Sequence, residues 1–232
     1  MYFSGFPKEG LQFLDDLSNN NNRNWFLENK KRYEETLKEP SKQLIHIMEE
    51  RFSHLQLPYD AHPKRSVFRI HRDTRFSKDK TPYKTNIGIS FPYQSKDVYD
   101  IPADKTEKPG LYVHIDPKGC FIAGGLYMPM SGQLLKIREA LDTDWEILDE
   151  ISKNSMFLHE FPDGLTGEKL KTMPKGFQND HPGKEYLRMK QFLMFSHIDN
   201  QSICTEEFID ILEAKAIAMA PIMEFLSICL HA

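Results

Sequence analysis

Apolar residues recur at helical spacing at both ends of the chain and alternate in its middle. Leu11, Leu14 and Leu17, with Phe13 beside them, predict a helix over about 8–17. Ser18 and the asparagines at 19–22 end it, because asparagine both tolerates turns and caps the next helix. Trp25, Asn29, Tyr33 and Leu37 then form an i, i+4 row, which predicts a second helix over about 24–38. Pro40 breaks it or opens a third helix whose apolar face holds Leu44, Ile47, Met48 and Phe52.

From Pro58 the period changes. Strands are expected at 67–71 and 86–91, the second with Ile87, Ile89 and Phe91 on one face. Residues 92–109, with Pro92, Pro102 and Pro109, read as a surface loop. Strands at 111–115 and 120–127 flank Asp116-Pro117-Lys118-Gly119, a hairpin turn. Ser131 can cap a helix over about 132–141, and a further helix follows with Trp145, Leu148 and Ile151. The prolines and glycines of 156–184 predict short strands and loops, and 191–196 a strand. Phe208, Ile211, Leu212, Met219, Ile222, Met223 and Leu226 mark a last helix over about 205–230, kinked at Pro221. Strands at 67–71, 86–91, 111–115 and 120–127 are expected to share one antiparallel sheet. With the terminal helices packed on it, the whole of 1–232 is expected to form one α+β domain.

Composition narrows the class. The chain has 232 residues, 40% of them hydrophobic and 28% charged, which suits a globular chain and excludes a disordered or collagen-like one. Its formal net charge of −4 argues against non-specific binding to nucleic acid or membranes by the protein as a whole. The three cysteines, Cys120, Cys204 and Cys229, fit neither a disulfide framework nor a four-cysteine zinc site. The opening residues lack the pattern of a signal peptide, and no apolar run is long enough to span a bilayer. A cytoplasmic, reducing setting is expected.

Charge is unevenly distributed. Residues 64–84 carry eight lysines and arginines against Asp73 and Asp79, a net +6 within 21 residues of an acidic chain. Arginine offers a planar fork of donors that matches a carboxylate or phosphate, and lysine adds point charge. The same charges could instead form a solvated loop or an internal ion-pair network. Phe76, Pro82, Tyr83 and Asn86 are residues that order a loop. The candidate anion-binding set is therefore Arg69, Arg72, Arg75, Lys80, Tyr83, Lys84 and Asn86, with Arg69 or Arg72 open to pairing with Asp73. Asn22, Arg23 and Lys30, at the start of the second helix, could add donors.

The run Arg69-x-x-Arg72-Asp73-x-Arg75-Phe76-Ser77-x-Asp79-Lys80-x-Pro82-Tyr83-Lys84-Thr85-Asn86 resembles the signature of a widespread microbial family, domain of unknown function 2461. Phe13-Leu14-x-x-Leu17 and Asn22-Arg23-x-Trp25-Phe26-x-x-Asn29-Lys30 resemble that family's N-terminal part. Gly124-Gly125-Leu126-Tyr127-Met128-Pro129, Lys175-Gly176-Phe177 and Asp180-His181-Pro182 resemble its later parts. The resemblance implies a single α+β domain and brings no activity with it.

Other chemistry is sparse. His71, Asp73 and His114 are the candidate proton-transfer groups. His71 and Asp73 would lie about 7 Å apart on one strand face and could supply half a metal site, with His114 as a third ligand. The chain has no HExxH run and no cysteine–histidine cluster, so no metal and no cofactor is assigned. Ser77 and Cys120 lack the surroundings of a nucleophile. Gly124-Gly125 marks a bulge or a close approach and is not a phosphate loop. Asn29 is expected to hydrogen-bond within the core or to the basic loop.

Three functions fit this pattern. The first is an anionic small-molecule binder, with or without catalysis. The second is a module that docks an acidic protein partner. The third, disfavoured by the acidic remainder, is a nucleic-acid binder resting on Phe68, Phe76 and Tyr83. No membrane partner is expected, and oligomeric state is not legible.

Overall fold

The computed structural model describes residues 2–95 and 108–231. Most of the expected loop at 92–109 therefore lies outside the described residues.

The N-terminal helices are α1 (Lys8–Asn19), α2 (Arg23–Glu28), α3 (Lys30–Tyr33) and α4 (Glu39–His54). The expected helix over 24–38 is interrupted at Asn29, which leaves helical geometry at φ −103°, ψ 9°. Its side-chain amide donates to the Trp25 carbonyl at 2.9 Å, so Asn29 stays within its own helix pair and does not reach the basic loop. Pro40 does not break the chain's helical path. A π turn at Glu34–Lys38 leads straight into α4. Proline lacks an N–H and its ring crowds the carbonyl four residues back, here Thr36, and the wider turn accommodates both defects.

Four antiparallel strands follow in the order β1 (Ile87–Pro92), β2 (Gly110–Ile115), β3 (Cys120–Leu126) and β4 (Phe192–Ile198). Three of the expected strands are present, with the Asp116–Gly119 turn closed by Gly119 N–H donating to Asp116 at 3.0 Å. The expected strand at 67–71 is not one. It makes single bridges, Val67 to Ile89 and His71 to Tyr83, and runs irregularly beside β1. The fourth strand is instead 192–198, the segment read separately as a strand at 191–196.

Alternation sorts the sheet's faces. Ile87, Ile89, Phe91, Leu111, Val113, Ile115 and Ile122 point to the helices and are buried. Tyr112, His114, Phe121 and Phe195 point the other way, and His114 stacks on Phe121 across the β2–β3 pair at 4.5 Å between ring centres. On the inner face, Phe52 of α4 meets Phe91 edge-on at 5.5 Å. The buried side chains of sheet and helices form one core.

After β3, α5 (Ser131–Ser152) joins the two expected helices into one, bent at Asp144. Ser131 is its first helical residue and does not cap it. Gln133 accepts from the Met130 N–H at 3.1 Å. The 156–184 region holds more helix than expected, with α6 (Ser155–Glu160), and α7 (Lys184–Leu187) follows it. Arg138 fixes α7 to α5 by donating to the carbonyls of Leu187 at 2.9 Å and Met189 at 3.2 Å. The last helix, α8 (Phe208–His231), lies across β3, with Pro221 inside it. There the Gly124-Gly125 pair has its explanation. A Cβ on Gly124 would stand 2.6 Å from the Met219 sulfur, and Gly125 adopts φ +112°. Close helix and strand packing accounts for both glycines, and neither forms a ligand loop.

Among the described residues, no helix is long and apolar enough to cross a membrane.

Candidate functional site

The basic segment folds back as a hairpin. Arg72 N–H donates to Pro82 at 2.9 Å and Lys84 N–H to Ile70 at 2.7 Å. Tyr83 roots it in the core. Its ring stacks on Phe26 of α2 at 4.1 Å and 16°. Asn21, in the turn before α2, grips the Tyr83 backbone, accepting from its N–H at 3.0 Å and donating to its carbonyl at 2.9 Å. The N-terminal helices therefore set where the hairpin stands.

Internal pairing shapes the hairpin's loop. Arg72 donates from one guanidinium nitrogen to Asp79 and Thr81, and from the other to Ser77 at 3.4 Å. Asp79 also accepts the Thr81 N–H at 2.9 Å. That N–H, with Arg72 and the Thr81 hydroxyl, holds the Asp79 carboxyl down to about 2. Arg75 donates to both oxygens of Asp73, at 3.0 and 2.7 Å, which lowers the Asp73 carboxyl to about 2. Lys80 Nζ reaches across the loop to the Thr74 carbonyl at 2.8 Å.

Between this hairpin and the start of α2 lies a cavity of about 490 Å³, lined by Arg23, His71, Arg72, Thr74, Lys80, Pro82 and Tyr83. No carboxylate is on that lining. A recess with cations on its wall and no anion favours a negatively charged guest.

Of the anion-binding candidates, the structure brings Arg72, Lys80 and Tyr83 to this cavity. The other four lie off its lining. Arg69 is exposed and sits within electrostatic range of Asp73 and Lys84. Arg75 is occupied by Asp73 and lies 5.7 Å over the Phe76 ring. Lys84 rests 5.2 Å over Phe68, and burial with Arg69 nearby lowers its pKa. Asn86 faces His114 at 3.4 Å.

The proton-transfer candidates separate too. His71 is on the cavity lining. His114 belongs to the outer face of the sheet, 3.1 Å from the Tyr112 hydroxyl, and burial lowers its pKa against the opposing pull of Asp116. Among the described residues, no three histidine, cysteine, aspartate or glutamate side chains gather as a metal ion requires. His71, Asp73 and His114 thus do not form the triplet that spacing allowed.

One contributor, Asn21, was hard to see in the sequence; another, Arg23, was among its secondary candidates. Of the three extra donors expected at the start of the second helix, Arg23 joins the lining, while Asn22 caps α2 by accepting from the Trp25 N–H at 3.1 Å and Lys30 lies off the lining. Asn21 carried no signal beyond being one of four turn-forming asparagines.

A family model described as a conserved hypothetical protein, DUF2461, matches residues 9–225. The chain belongs to that family. No curated protein and no solved structure matches it.

Proposed function

We propose that the protein binds an anionic small molecule in the cavity between the 70–84 hairpin and α2. The observation that carries this reading is a lining that presents Arg23, Arg72 and Lys80 and no carboxylate. Arg72, Lys80 and Tyr83 are the core of the site, with Arg23 added to them. Arg69, Arg75, Lys84 and Asn86 act at its margin, through the local potential and the hairpin's shape. If the site is catalytic, His71 is the group placed to move a proton, since it alone of the three candidates is on the lining. The free thiols of Cys120, Cys204 and Cys229 fit a reducing, cytoplasmic setting.

A thermal-shift panel of phosphorylated and carboxylate-bearing metabolites tests this. A free ligand at 100 times its dissociation constant adds roughly 2.7 kcal/mol to the unfolding free energy. For a chain of this length that is an upward shift of about 5–10 °C. The shift should saturate and should vanish in Arg23→Gln with Lys80→Gln. Equal shifts in both proteins, or none with any ligand, would sink the reading.

One observation favours docking of an acidic protein instead. Phe76, at the tip of the basic loop, is 95% exposed, and an aromatic beside arginine is a common anchor at interfaces. The two readings part at this residue. Phe76→Ser should abolish docking and leave ligand shifts unchanged.

A further inference from the structure

We infer that the cavity's ligand ends in a phosphoryl group, as a phosphomonoester and not a carboxylate or a phosphodiester. We also infer that an organic portion of this ligand lies against Pro82 and Tyr83. The inference rests on the anion-site reading above and follows from which cations are already matched. Arg72 is paired with Asp79, so its charge is met within the hairpin. Lys80 has only the neutral Thr74 carbonyl. The Arg23 side chain makes no hydrogen bond or ion pair among the described residues. Two unmatched cations thus face one space, while a third side chain, Arg72, is at hand with further N–H groups.

A monoester answers that arrangement. It carries about −1.5 to −2 near neutral pH and presents three strong acceptor oxygens. A carboxylate brings one charge and two oxygens. A diester brings one charge and two unesterified oxygens. Either would match the charge of only one of the two cations and leave the other to solvent.

Volume speaks for the organic portion. About 490 Å³ falls within the range of roughly 300–1,000 Å³ that houses organic ligands, far more than one phosphate group fills. Pro82 and Tyr83 supply the cavity's apolar wall, and the Phe26 stack keeps the tyrosine ring from shifting.

Calorimetric titration of the full chain at constant ionic strength decides the matter, with phenyl phosphate, its methyl diester, benzoate and inorganic phosphate as probes. Phenyl phosphate is expected to bind at least about tenfold more tightly than the diester or benzoate, and more tightly than inorganic phosphate. Arg23→Gln and Lys80→Gln should each weaken it about tenfold, with melting curves showing that both variants stay folded. If benzoate or the diester matches phenyl phosphate and shows the same dependence on Arg23 and Lys80, the monoester assignment is overturned and the anion site stands. If inorganic phosphate binds as tightly as phenyl phosphate, the organic portion is overturned. If no probe binds saturably, or if binding ignores both substitutions, the site and the assignment fall together.

Discussion

Asn21 holds Tyr83 by both its backbone N–H and its carbonyl, doing with one side-chain amide what a neighbouring strand does with its backbone. The hairpin that carries Arg72 and Lys80 is therefore tied to the turn between α1 and α2, which also delivers Arg23. Removing the amide leaves a Tyr83 donor and acceptor without their partner in a part-buried place. Asn21→Ala should cost about 1–3 kcal/mol. The melting temperature should fall about 2–4 °C for each kcal/mol. Asn21→Asp keeps the acceptor, loses the donor, and should fall between. Denaturant unfolding of the three proteins checks the order, and amide exchange should rise first in the hairpin.

Asp73 and Asp79 should report the loop's integrity through pH. Both carboxyls stand at about 2 in the folded protein, against an ordinary 3.8. The unfolded chain thus binds more protons between those values. The stabilisation is complete above about pH 4 and is lost as pH falls towards 2. Carboxyl resonances of both residues should titrate near 2, with the loop loosening there. Arg75→Gln should return Asp73 towards its ordinary value. Arg72→Gln should move Asp79 only part of the way, because the Thr81 N–H remains. Midpoints near 3.8 in the unaltered protein would show that the pairs do not persist in solution.

Among the described residues, Lys215 is the one buried lysine or arginine. It lies on α8 and is 8% exposed, with Nζ 2.8 Å from Glu160 and 5.3 Å from the Phe161 ring centre. Lys215→Met leaves the Glu160 carboxylate, 19% exposed, with only His159 beside it at 3.1 Å. Breaking such a pair from one side should cost about 3 kcal/mol. Adding Glu160→Gln removes the stranded charge, so the double variant should recover most of the loss. A double variant no more stable than Lys215→Met would mean that packing by the lysine stem, and not charge, holds the place.

The two adjacent glycines of β3 should answer differently to alanine. At Gly124 the new methyl meets the ends of Met219 and Met223, which can swing aside, so the cost should be about 1–3 kcal/mol. At Gly125 it would stand 1.9 Å from the Phe192 carbonyl oxygen with the backbone at φ +112°, where neither partner can yield. Gly125→Ala should fail to give soluble folded protein under conditions in which Gly124→Ala melts cooperatively.

The helices could be read in the sequence because their buried faces repeat at a fixed period. Phe13, Leu14 and Leu17 are all buried, as their spacing required. Residues 67–71 misled because Val67, Phe68 and Ile70 have strand-like side chains. What decides a strand is pairing, and Phe68 turns its ring over Gly88 and Tyr112 while the backbone bridges only at single points. The basic segment stood out by charge, but its division into matched and unmatched cations did not. Arg72 finds Asp79 across a loop, Arg75 takes the Asp73 two residues before it, and Arg23 arrives from another helix. Those choices depend on how the chain turns, which side-chain type alone does not encode.

The irregular path beside β1 closes an edge. Phe68 N–H donates to Gly88, Ser90 N–H to Ser66, Asp60 N–H to Pro92 and Gln94 N–H to Pro58, each at 2.7–2.9 Å. Every second residue of β1 thus has its outward backbone group occupied by the chain's own upstream segment. On the opposite side, Thr166 and Leu193 exchange N–H donors at 2.6 and 2.8 Å, and β4 carries on beyond them with Phe195 exposed. Exposed sheet margins recruit foreign strands and seed aggregates. Among the described residues, one margin is sealed along its length and the other only at its start. Among the described residues, the backbone left for a visiting strand is therefore the far half of β4, on the opposite margin from the hairpin.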